Sequence, residues 1–167
     1  IRHALRPDGM LLASLIGGDS LHELRDAFVA AEAEIEGGAS PRVVPFADVR
    51  SLGGLLQRAG YALPVVDFDR ITVGYRNPID LMLDLRAMGA TNPLLDRTRR
   101  FLRRATLARM MQIYAERHAR PDGRVVATFD IVTLTAWAPH ESQQQPLRPG
   151  SAKSSLADAL KTKETKL

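Results

Sequence analysis

The hydrophobic positions of this chain change period along its length, and each change marks an element. Met10 to Ile16 is a short continuous apolar run behind the turn Pro7-Asp8-Gly9, the pattern of a strand buried on both faces in a parallel sheet. Gly17-Gly18-Asp19 then bends the backbone, and Ser20-Leu21-His22-Glu23 carries the S-x-x-E spacing of a capping box. Behind it Leu21, Leu24, Phe28, Ala31 and Ile35 recur at helical spacing until Gly37-Gly38, so a helix is expected there. A second helix is expected over Phe46 to Arg58, where Val49, Leu52, Leu55 and Leu56 share a face despite Gly53-Gly54.

Pro64 to Tyr75 is rich in β-branched and aromatic residues and reads as the second strand. Its apolar parity shifts near Asp67 and Asp69, which points to a bulge or to a strand half exposed at a sheet edge. Asn77-Pro78 opens a helix through Leu81, Met82 and Leu85 to Gly89, and Asn92-Pro93 opens a longer one reaching His118. After the turn Arg120-Pro121-Asp122-Gly123, Val125 to Trp137 alternates as a third strand. Residues 141–167 are polar, Gln- and Pro-rich and then Lys-rich, and read as a flexible tail.

Composition adds bounds. With 167 residues, 45% hydrophobic and 25% charged, the chain has the makings of one soluble domain with its own core. It carries no apolar run of about eighteen residues and no basic-then-apolar leader, so neither a membrane span nor a secretory signal is expected. The absence of Cys excludes a disulfide framework, thiolate catalysis and Cys-ligated metal sites within these residues. A net charge of +4, more from Arg than Lys, is compatible with an acidic partner, a nucleic acid or a solvated surface. No aromatic interleaving of the single-strand-binding kind accompanies it.

The order of elements, a buried strand after L-x-P-D-G, a helical crossover, a second strand and a late third, resembles the C-terminal half of class I S-adenosylmethionine-dependent methyltransferases. The likeness extends to Ala59-Gly60-Tyr61, to Asp84-Leu85-Arg86-Ala87-Met88-Gly89-Ala90-Thr91-Asn92 and to Pro146-Leu147-Arg148-Pro149-Gly150-Ser151-Ala152. These stretches are similar to one branch of the family. That branch holds the malonyl-carrier-protein O-methyltransferases of biotin synthesis and the mitochondrial complex I assembly factors that hydroxylate an arginine of an iron–sulfur subunit. The resemblance implies an α/β fold, a partial Rossmann-like sheet of order 3-2-1-4-5-7-6 with strand 7 antiparallel. Met10 to Ile16 would be strand 5, Pro64 to Tyr75 strand 6 and Val125 to Trp137 strand 7.

It also implies a division of the chain. Residues 1–140 would be the C-terminal half of a methyltransferase-like domain, with 76–124 a helical insertion. The family's Gly-rich cofactor turn and the acidic residue that holds the ribose lie before strand 5. This chain has no G-x-G. S-adenosylmethionine is therefore expected in a full-length parent and no cofactor in these residues. Met10 to Ile16 is expected to present an unpaired edge.

On this mapping the second strand ends and the third begins at the carboxyl edge of the sheet, where open α/β sheets bind ligands. The insertion is expected there as a lid or partner surface, the plainer reading being a cover for the sheet. Asp19, Ser20, Tyr75, Arg76 and Asn77 fall at that edge and are the substrate-facing candidates, although Ser20 also reads as a simple helix cap. Trp137 and His140 fall at the opposite edge and read as structural.

Arg97, Arg99, Arg100, Arg103, Arg104 and Arg109 come with no acid among residues 97 to 109. Their guanidinium forks suit carboxylates or phosphates. Arg99, Arg100, Arg103 and Arg104 are candidates for an acidic carrier protein or a complex I subunit, or else a solvated helix face partly paired with Asp96 or Glu116. His3, His22, His118 and His140 are widely separated and no metal motif accompanies them. Catalytic residues stay unassigned. Either a methyltransferase-like enzyme or a complex I assembly protein is expected, cytoplasmic if bacterial and in the mitochondrial matrix if eukaryotic.

Overall fold

The structure is a computed structural model, and it describes residues 1–145, 151 and 160–161. After a short 3-10 turn at Arg2–Ala4 the elements are β1 (Met10–Gly17), α1 (His22–Glu36), α2 (Val49–Arg58), β2 (Ala62–Tyr75), α3 (Pro78–Ala87), α4 (Arg104–His118) and β3 (Val125–Trp137). The strands form one sheet in the order β1-β3-β2. The central β3 is antiparallel to both neighbours, so β1 and β2 point the same way.

Strand alternation divides β3 between two cores. Val132, Leu134 and Ala136 pack with Leu52 and Leu56 of α2, joined by Leu11, Ala13, Leu15 and Val66 from the flanking strands. Val125, Ala127 and Phe129 point to the other face and meet Leu24, Ala27 and Phe28 of α1, Leu81 and Leu85 of α3, and Met110, Ile113 and Tyr114 of α4. The two covers are offset. α2 shields one face toward the amino ends of β1 and β2, and α1, α3 and α4 shield the opposite face toward their carboxyl ends. Each fully buried Leu or Phe side chain contributes roughly 1.5–3 kcal/mol of transfer free energy.

Local chemistry sets the helix ends. Asp48 accepts the Ser51 amide at 2.7 Å and caps α2, so this helix begins at Val49 rather than at Phe46. Asn77 accepts the Asp80 amide at 3.0 Å, and Pro78 follows it in the first turn of α3. α1 ends at Gly37, whose φ of 72° is left-handed.

Several expectations change. β1 is not buried on both faces in a parallel sheet: among the described residues it pairs only with the antiparallel β3 and forms a sheet edge, with Met10 and Leu12 exposed. The capping box at Ser20 and Glu23 does not form: α1 starts one residue past Leu21, which is itself left-handed (φ 57°) with no side-chain cap, because both side chains are drawn to β3. Of the two readings of the parity shift at Asp67 and Asp69, the half-exposed edge strand holds and the bulge does not. β2 pairs without interruption from Val65 to Tyr75, the register shift lying between Ala62 and Val65, and the two aspartates are exposed because β2 is an edge strand.

The long helix from Asn92-Pro93 is shorter than its pattern. Residues 92–103 form no helix and α4 begins at Arg104. The Asn92 side chain is engaged instead with the Pro41 carbonyl (2.6 Å) and the Leu94 amide (3.0 Å), holding the chain in a turn. Within residues 76–124, α4 packs along α1 and α3 joins the same core. Of the 146–152 stretch, all but Ser151 lies outside the described residues, as does most of the expected tail.

Candidate functional site

β1 ends at Gly17, but β2 and β3 continue past it to Tyr75 and Val125. The newly uncovered edge of β3 needs hydrogen-bond partners, because buried backbone groups must be paired. Side chains supply them. The Ser20 hydroxyl accepts the Asp130 amide at 2.8 Å and donates to the Gly17 carbonyl at 2.6 Å. The Glu23 carboxylate accepts both the amide and the hydroxyl of Thr128, and the Leu21 amide donates to the Thr128 carbonyl at 2.8 Å. Ser20 and Glu23 thus stand in for the missing strand, and both are buried.

Just past this junction lies a cleft of about 480 Å³, lined by Asp19, Phe46, Asp48, Arg50, Phe68 and Arg70 among others. At its floor the buried Asp130 carboxylate accepts Nε and Nη2 of Arg70 at 2.7 and 2.9 Å, and the Asp19 amide at 3.0 Å. The Arg70 hydrogen bonds hold the Asp130 carboxyl below its ordinary pKa, against the opposing effect of burial. The same pairing raises that of Arg70. Asp130 uses only the Nε–Nη2 side of the guanidinium, which leaves the Nη1 edge outside that pairing, with the exposed Asp19 carboxylate 3.9 Å from Nη2. Such an edge can take a carboxylate or another planar anion.

The sequence-based candidates are only partly brought together. Asp19 lines this cleft. Ser20 does not face outward: it is fully buried, its hydroxyl spent on the sheet. Tyr75 is half-buried beside α3, its hydroxyl pKa raised by burial and by Asp84. Arg76 pairs with Asp80 at 2.8 Å, and Asn77 caps α3. Tyr75, Arg76 and Asn77 are at the carboxyl end of β2, as expected, but none of them lines the cleft.

Arg99, Arg100, Arg103 and Arg104 are exposed on the irregular 92–103 segment and the first residue of α4. Arg109 is separate from them, paired with Glu34 at 2.6 Å and with Glu116 at 3.4 Å. Sequence reasoning missed Arg70, Asp130, Phe46 and Phe68. A signal for Asp130 existed: a lone carboxylate in the apolar run Val125 to Trp137 demands a partner wherever that strand is buried.

The glycine pair after β1 was the one strand-to-helix turn with a glycine to offer a nucleotide-like cofactor. Its inner side is packed against β3, while Gly18 also borders the cleft. A Cβ at Gly17 would sit 2.6 Å from Val132 Cγ2, and one at Gly18 2.5 Å from Asp130 Oδ2. These glycines permit close packing onto β3. Among the described residues no group of three His, Asp or Glu side chains stands close enough to share a metal. No helix among them is long and apolar enough to cross a membrane.

No family model matches the chain. Individual relatives do. It is 43% identical over 159 residues to the mitochondrial arginine-hydroxylase NDUFAF5 of Dictyostelium discoideum, covering 95% of this chain and 36% of the relative. With the human protein of that name it shares 41% over 158 residues, 95% of this chain and 46% of the relative. With the malonyl-[acyl-carrier protein] O-methyltransferase of Laribacter hongkongensis it shares 38% over 146 residues, 87% of this chain and 46% of the relative. The chain spans half or less of the length of these curated relatives. Its homologues are therefore NDUFAF5-type arginine hydroxylases and malonyl-carrier-protein methyltransferases, the branch of class I methyltransferase-like proteins that its own motifs resemble.

Proposed function

We propose that residues 1–140 are the C-terminal half of a methyltransferase-like domain. In this reading β1, β2 and β3 are strands 5, 6 and 7, and residues 76–124 are the insertion between the last two. The observation that carries it is the strand order β1-β3-β2 with an antiparallel centre, which matches the 5-7-6 end of the class I sheet. The rest of the parent protein then supplies S-adenosylmethionine binding, since this chain has no G-x-G and its glycine turn after β1 is used to pack onto β3. No step of methyl transfer is assigned to these residues.

The contribution of this half is recognition at the carboxyl edge. Asp130 holds Arg70 at the cleft with one guanidinium edge outside their pairing and the Asp19 carboxylate beside it, while Phe46 and Phe68 supply apolar walls. Tyr75, Arg76 and Asn77 extend that edge on its far side. A macromolecular substrate, either an acyl-carrier protein or a protein of respiratory complex I, would be held by this rim and by the arginines of the insertion. Cytoplasm in a bacterium, or the mitochondrial matrix in a eukaryote, is the compartment this implies.

Isothermal calorimetry of the full-length protein with S-adenosylmethionine tests the enzymatic reading. Binding in the micromolar range is expected, and no detectable heat at high protein concentration would remove it. A second reading, arginine hydroxylation or subunit assembly in place of methyl transfer, is favoured by coverage. The arginine-hydroxylase relatives align over 95–99% of this chain, against 82–87% for the methyltransferases. Mass spectrometry of complex I iron–sulfur subunits with and without the gene separates the two, by a gain of oxygen or of a methyl group.

A further inference from the structure

The segment that leaves α3 and enters α4 is unlike the rest of the surface. Its Phe101 is 101% exposed and Leu95 84% exposed, so neither side chain is buried by the fold that carries it. Around them stand Arg99, Arg100, Arg103 and Arg104, all exposed, and no acidic residue lies nearer in sequence than Asp96 on one side and Glu116 on the other. Arg109, the next arginine along, is already neutralised by Glu34 and Glu116. α4 also begins badly for a helix: Arg103 is its N-cap, Arg104 its first residue, and neither a side-chain cap nor a first-turn acid is present. Cations at the positive end of a helix are unfavourable by a few tenths of a kcal/mol or more.

From these observations we infer that residues 95–104 form a docking arm for an acidic protein surface bearing an apolar pocket. Phe101 and Leu95 are the anchors, and the four arginines pair with carboxylates around them. This rests on the reading that the parent acts on a protein partner, and it names the part of the chain that grips it. An aromatic anchor within a ring of arginines is the arrangement from which interfaces draw most of their binding energy. The arginine forks suit carboxylates in two-point contacts. The exposed Asp96 between Leu95 and Arg97 disfavours an anionic lipid surface or a phosphate backbone, and one lone aromatic is no stacking platform for a single strand.

The test uses fluorescence anisotropy of the full-length protein with four probes: a helical peptide with glutamates on one face and leucines on the other, poly-L-glutamate, phosphatidylglycerol vesicles and a single-stranded oligonucleotide. The amphipathic peptide should bind, more weakly as salt rises. Phe101→Ala should weaken it about tenfold while leaving thermal unfolding unchanged, and Arg99→Glu with Arg100→Glu should abolish it. Poly-L-glutamate should bind more weakly and be indifferent to Phe101→Ala.

Unchanged peptide affinity in Phe101→Ala overturns the inference, as does binding of vesicles or oligonucleotide without the peptide. So does a Phe101→Ala protein that unfolds several degrees earlier, because Phe101 would then be a fold contact with the remainder of the chain. Calorimetry with S-adenosylmethionine on the same variants keeps the outcomes apart. Peptide binding without cofactor binding sinks methyl transfer but supports the arm.

Discussion

Arg70 and Asp130 pair with each other, yet losing one should not equal losing the other. Asp130 is 2% exposed, whereas the Arg70 side chain is 51% exposed. Removing Asp130 frees an arginine that water can reach; removing Arg70 leaves a buried carboxylate with one backbone amide. Urea unfolding at neutral pH should therefore rank Arg70→Met as more destabilising than Asp130→Asn. Because the folded-state pKa of Asp130 is depressed, its contribution is present above the ordinary value of 3.8 and is lost as pH falls through the depressed one. In Arg70→Met that acid-side loss should shrink.

His118 works in a different window. It sits beside Tyr114, its Nε2 is buried without a hydrogen bond, and burial lowers its pKa from 6.5. Unfolding then takes up a proton below 6.5, so stability should fall as pH drops from there through the lowered value. His118→Phe should flatten that slope in urea titrations. Glu23→Ala, which strips the amide and hydroxyl of Thr128 of their acceptor, should cost roughly 2–4 kcal/mol by the same measurement.

At the scale of elements, the start of α4 shows local preference set aside. The Asn92-Pro93 signature and the spacing behind it read as one helix, but Asn92 is bound to the 41–46 loop, a partner 51 residues away in sequence. No window of sequence contains that contact. The Ser20 and Glu23 pair was misread for the same reason: S-x-x-E is a capping signature only where no strand edge competes for the two side chains. Arg103→Ser should give α4 a conventional cap and raise stability by about 0.5–1 kcal/mol, measured by thermal unfolding, while weakening the acidic peptide. Gly18→Ala should do the reverse of a cap. With φ at 58° and Asp130 Oδ2 2.5 Å from the new carbon, it should cost about 1–2 kcal/mol from backbone conformation alone and displace the Asp130–Arg70 pair.

At the scale of the whole molecule, the sheet has two open edges among the described residues, defended unequally. β2 carries exposed Asp67 and Asp69, charges that discourage pairing with another strand. β1 carries Met10 and Leu12, 53% and 63% exposed, and no charge. The 167-residue chain by itself should self-associate through β1, giving a sedimentation coefficient that rises with concentration, and Leu12→Lys should hold it monomeric. A monomer at all concentrations would mean that the edge is covered.

The sequence by itself determined the three strands, nearly to their ends, the helices with a single apolar stripe, and the family branch, because periodicity and motif are short-range properties that any window of residues contains. Only the tertiary structure decided the site. Arg70 meets Asp130 across 60 residues of chain, Ser20 and Glu23 turn from capping to completing a strand edge, and Phe101 and its arginines are left standing clear. Each of these is an outcome of which buried polar group finds a partner in three dimensions, and pairing at that range leaves no periodic trace in the chain.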